Sequence, residues 1–170
     1  IRRPARSTLF PSTTLFRSGV IPGRHRLRVS GVPENCWIKN VKLNGATVDP
    51  DALEIPESGG KLELILAPTA ARIAGRVLNS EDQPVPGAAV TLIPENGGEW
   101  QARVVTADSE GSFQIPSVAP ARYQLLAWQA LEAGAHLDRE LVRKFEATAE
   151  KLALKENARP SVVLRVIPAN

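Results

Sequence analysis

Apolar residues recur at every second position through much of the chain, in short runs separated by proline, glycine, asparagine or aspartate. Such alternation turns one face of a strand to a core and the other to water. Leu27 and Val29 form the first run after Val20-Ile21-Pro22-Gly23, and Gly31-Val32-Pro33 ends it. A strand over 36–43 then meets Asn44-Gly45, a pair suited to a type I′ hairpin because both residues tolerate positive φ. Leu53 and Ile55 make a short strand, and 61–66 another that Pro68 closes. Further strands are predicted at 73–77, 88–93, 100–106, 113–115, 123–128, 151–154 and 161–167, with Ala88, Val90 and Leu92 on one face.

Residues 106–125 organise this pattern. Asp108-Ser109-Glu110-Gly111 reads as a tight turn, since an Asp carboxylate bonds nearby backbone N–H groups and glycine takes positive φ freely. Phe113 and Ile115 point inward. Val118-Ala119-Pro120-Ala121 then turns the chain again before Tyr123 and Leu125. That second corner, built on Pro120, has an echo in Val20 to Leu27, and 62–68 is echoed by 162–168 at nearly the same spacing. The expectation is two tandem copies of one β unit, with 19–70 the C-terminal half of a truncated sandwich.

After 128 the period changes. Leu137, Leu141, Val142 and Phe145 fall at helical spacing, Asp138 suits an N-cap, and Leu137 with Val142 suits a hydrophobic staple. A short helix is predicted over 139–147 as an insertion. Its polar face carries Glu140, Arg143, Lys144 and Glu146, as a solvated surface would.

Composition refines the picture at three points. Fourteen prolines and twelve glycines spread over 170 residues mark frequent turns and favour an all-β chain. The lone Cys36 excludes an internal disulfide and a cysteine-rich metal site. No apolar run is long enough for a membrane helix. The net charge of +3 would invite nucleic acid as a partner. However, residues 8–18 resemble the translation of a sequencing-library adapter, with Ser12 where the adapter gives tyrosine. Setting 1–18 aside as adapter-derived and disordered removes Arg2, Arg3, Arg6 and Arg17. That leaves 17 basic residues against 18 acidic ones, and no case for nucleic acid.

Candidate chemistry is sparse. His25 and His136 lie apart and outside any H-E-x-x-H or Cys/His pattern. Asp108 and Glu110 could pair for acid–base work or calcium, but no third carboxylate follows at ligand spacing. Asp108, Gly111 and Pro120 are therefore assigned to structural turns. No catalytic residue, cofactor or metal ligand is expected. Trp100, beside Gly97-Gly98, is the best placed tryptophan to stack on a sugar ring, and packing over the core edge is the plainer reading.

Four motifs carry a resemblance: Gly75-x-Val77, Pro84-Val85-Pro86-Gly87-Ala88-x-Val90-x-Leu92, Asp108-x-x-Gly111-x-Phe113 and Val118-x-Pro120-x-x-Tyr123-x-Leu125. Together they resemble the carboxypeptidase regulatory-like domain over about 71–128, with Ala121 where the family corner usually has glycine. The resemblance implies a seven-stranded Greek-key, prealbumin-like (transthyretin-like) sandwich over 71–170, with one helical insertion, also classed as carbohydrate-binding-like. It further implies a non-catalytic spacer or interaction module of a larger secreted or surface bacterial protein. The location would be extracellular, periplasmic or at the cell surface. The expected partners are other domains of the parent chain, with a polysaccharide or a surface protein beyond them. A carbohydrate-binding module is the alternative.

Overall fold

The structure, a computed structural model, describes residues 20–169; the adapter-like stretch 1–18 lies outside them. Twelve strands and one short α-helix are described. The first five strands are β1 (Gly23–His25), β2 (Trp37–Leu43), β3 (Ala46–Thr47), β4 (Leu53–Ile55) and β5 (Leu62–Ala67). They make an antiparallel ribbon, β1–β4, and a small sheet ordered β3-β2-β5. The β2–β3 hairpin turns on Asn44 (φ 51°) and Gly45 (φ 82°), the two positive φ values that a type I′ turn demands.

The remaining strands are β6 (Ala71–Leu78), β7 (Ala89–Pro94), β8 (Arg103–Thr106), β9 (Ser112–Val118), β10 (Arg122–Trp128), β11 (Glu150–Ala153) and β12 (Ser161–Ile167). They form a sandwich. One layer is β9-β6-β12 and the other is β8-β7-β10-β11. β10 divides its free edge. Residues Arg122 to Leu125 pair antiparallel with β11, and Ala127 and Trp128 pair parallel with β12, joining the layers. Alternation supplies the core: Ile73 and Val77, Val90 and Leu92, Phe113 and Ile115, Tyr123 and Leu125, and Val162 and Leu164 are all buried between the layers. Both corners of the 106–125 stretch carry the chain from one layer to the other, so β8, β9 and β10 are consecutive without pairing.

β10 departs from alternation at its end, where Leu125, Leu126, Ala127 and Trp128 are all buried. A strand covered on both faces reads as a continuous apolar run. The cover here is the insertion between β10 and β11, whose helix α1 (Arg139–Lys144) brings Leu141 and Val142, with Phe145 just beyond, against Leu126, Trp128 and Ile167. Asp138 caps α1 by accepting from the N–H groups of Glu140 and Leu141.

Three expected boundaries move. The helix stops at Lys144 because Phe145 leaves helical geometry and a 3-10 turn, Glu146–Thr148, follows. The strand expected through Leu27 and Val29 ends at His25. Beyond it Leu27 N–H donates to the Pro50 carbonyl, and proline has no N–H to return the bond. The strand expected from Trp100 begins only at Arg103, because Glu99–Gln101 forms a 3-10 turn.

Candidate functional site

The Asp108 corner consumes its own polar groups. Asp108 Oδ1 accepts from the N–H groups of Glu110 (2.9 Å) and Ser112 (2.8 Å), while Asp108 N–H donates to the Ser112 carbonyl at 2.8 Å. Gly111 closes the turn at φ 71°, and a Cβ there would lie 2.9 Å from the Val77 carbonyl oxygen. Glu110 turns outward toward Arg76, 3.8 Å away. One carboxylate thus holds the loop and the other pairs on the surface.

The Pro120 corner is held by a group that spacing does not mark. Tyr123 Oη donates to the Ala119 carbonyl at 3.0 Å, across the turn. Its ring is buried at 1% exposure, and burial pushes the phenol up to about 12, with Arg103 opposing. At ordinary pH the hydroxyl therefore remains a donor.

Trp100 sits in the 3-10 turn before β8, half-buried, and its backbone N–H donates to Asp51 Oδ2 at 3.2 Å. Asp51 belongs to the turn between β3 and β4, so Trp100 stands at the junction of the two β assemblies. With Trp37, Ile38, Val118 and Tyr123 it lines a void of about 20 Å³, room for about one water molecule. Trp128 is buried, donates its indole N–H to Thr91 Oγ1 at 3.1 Å, and meets Phe145 edge-on at 5.1 Å. Trp37 donates its indole N–H to Thr69 Oγ1 at 3.2 Å.

Polar contacts flank this partly apolar junction. Ser117 Oγ donates to the Pro33 carbonyl (3.0 Å), Ala70 N–H to that of Asn35 (3.1 Å), and Asn157 N–H to that of Thr69 (3.0 Å). Arg72 pairs with Glu34, and Arg26 with Glu99 at 3.3 Å.

Sequence spacing also passes over an open cleft of about 290 Å³ between the β7–β8 connection and the helical insertion. Glu95, Glu99, Gln124, His136, Arg139 and Arg143 line it, a mixed set with neither charge dominant. His136 is half-buried and its Nδ1 has no hydrogen-bond partner. Burial and the nearby Arg28 guanidinium hold its imidazole below the ordinary value, with Glu99 opposing. It therefore favours the neutral form. His25 is placed differently, its Nε2 2.7 Å from the Ile21 carbonyl. Among the described residues no three His, Cys, Asp or Glu side chains gather as metal ligands would.

Residues 72–136 match the carboxypeptidase regulatory-like domain family, so the sequence motifs and the sandwich coincide. None of the curated proteins matches the chain. Among solved structures, the chain is similar to the major pilin subunit BcpA of Bacillus cereus at 12% identity and TM-score 0.41, covering 78% of this chain and 56% of that one. The group B streptococcus pilus 2b backbone protein is similar at 17% identity and TM-score 0.38, over 85% and 52% of the two chains. The Klebsiella pneumoniae 5-hydroxyisourate hydrolase is similar at 19% identity and TM-score 0.34, over 58% and 90%. The chain spans about half the length of the two pilus proteins.

Proposed function

We propose that the protein is a non-catalytic β-sandwich module, serving as a structural spacer or protein-interaction domain within a larger secreted or surface bacterial protein. The observation that carries this reading is the junction. Hydrogen bonds, charge pairs and the small void that Trp37 and Trp100 both line join one β assembly to the next. Multiple directional bonds suit transmission of position from one module to its neighbour, whereas a catalytic site would need converging reactive groups.

In the same reading Asp108, Gly111 and Pro120 are turn residues, and Trp100 is a junction residue. The units 19–70 and 71–170 are related copies. In support of that relation, His25 faces Leu53 in the antiparallel β1–β4 pair as Tyr123 faces Leu152 in the antiparallel β10–β11 pair. β5 and β12 follow at matching places, although β5 pairs with β2, which has no strand counterpart in the insertion.

A polysaccharide-binding role for Trp100 makes the opposite demand, an indole face open to a ring. A glycan array probed with the full chain and with Trp100→Ala separates the two. The spacer reading expects no glycan retained above background by either protein. Specific retention by the parent that is lost in Trp100→Ala would replace it with a carbohydrate-binding module.

A further inference from the structure

The sequence contains two Asn-Gly pairs, Asn44-Gly45 and Asn96-Gly97, and the structure treats them oppositely. Asn-Gly is chemically vulnerable because no Cβ on the second residue shields its backbone nitrogen from the asparagine carboxamide. That nitrogen, once deprotonated, attacks the asparagine Cγ. The N–Cγ bond forms, the Cγ–Nδ2 bond breaks, and ammonia leaves carrying the proton. Water then opens the cyclic imide at either carbonyl, giving aspartate or isoaspartate. Ring closure needs a side chain and a backbone that are free to rotate.

Asn44 lacks that freedom. It is fixed in the β2–β3 turn, its Oδ1 accepts from Lys61 N–H at 2.8 Å, and its own N–H donates to the Lys61 carbonyl at 2.9 Å. Asn79, which precedes Ser80, is held as firmly. Its Oδ1 accepts from the N–H groups of Glu81 and Gln83, both at 2.9 Å. Asn96 differs. It is exposed in a bend after β7, and among the described residues neither its side chain nor Gly97 N–H makes a hydrogen bond. A Cβ at position 97 would meet chiefly the end of the Gln101 side chain, which is free to swing aside.

We propose that Asn96 is the site of spontaneous deamidation and isomerisation in the folded protein, and that Asn44 is protected until its hairpin opens. The product places a new carboxylate between Glu95 and Glu99, at the rim of the cleft that Arg139 and Arg143 also line. Isoaspartate would in addition lengthen the β7–β8 connection by one backbone methylene.

The test is a time course of the folded full chain at mildly alkaline pH, followed by trypsin digestion and fragment mass spectrometry. The peptide spanning 77–103 should gain the mass of an NH2-to-OH exchange at Asn96 at least about tenfold faster than the 43–61 peptide does at Asn44, since a required opening step multiplies the rate by an opening equilibrium constant well below one. In denaturant the two peptides should react at similar rates. Asn96→Gln should abolish the early gain. Equal rates in the folded chain, earlier reaction at Asn44, no gain at Asn96, or a gain in 77–103 that survives Asn96→Gln would each overturn the proposal.

Discussion

Replacing Gly75 by alanine is expected to lower the stability of the chain by about 2–3 kcal/mol, the cost of an overpacked core position. Gly75 lies in the middle of β6, paired with Val162 of β12 on one side and Phe113 of β9 on the other. A Cβ there would overlap the Val162 carbonyl oxygen and sit 2.7 Å from Phe113 Cζ. The carbonyl belongs to a paired strand and Phe113 is buried at 4% exposure, so neither can yield without disturbing the β9-β6-β12 layer. In a thermal melt the loss should appear as a fall of roughly 5–10 °C. An unchanged melting temperature would mean that β6 and β12 do not approach as described.

A larger loss is expected for Trp128→Ala, about 3–5 kcal/mol, as for other large aromatic side chains removed from a core. Three things disappear together. The buried ring leaves a void among Leu126, Ile167 and the insertion, Thr91 Oγ1 loses its indole donor, and Phe145 loses its edge-on partner. Trp128→Phe keeps most of the packing and gives up the hydrogen bond, so it should cost only about 1 kcal/mol. Denaturant midpoints measure both. Hydrogen exchange adds a local readout, because α1 amides should lose protection in Trp128→Ala before those of β6. If Trp128→Ala and Trp128→Phe shift the midpoint equally, the lost hydrogen bond rather than the void accounts for the destabilisation.

Much of this architecture was legible from alternation and turn chemistry. β12 lies where strict period two places it, and the Asn44-Gly45 pair turns as its φ tolerance requires. Asp138 caps α1 as its position before the helical spacing suggests. What escaped was set by partners distant in sequence. Trp100 falls in a turn held by Asp51, a residue of the other assembly, so no window around Trp100 contains the cause. The run Leu125 to Trp128 makes sense only once the insertion folds over it. The half-buried His136 took its surroundings from Arg28 and Glu99, which only the fold brings near. Likewise, alternation assigns β8, β9 and β10 as strands but cannot say that each corner between them changes layer.

Docking of the two β assemblies as one rigid piece is tested most directly by amide 15N relaxation of the full chain. Amides of β2 and β5 should report the same rotational correlation time as those of β6, β7 and β10. Two distinct correlation times, with the shorter confined to β2 and β5, would mean the junction is not holding and would contradict the spacer reading.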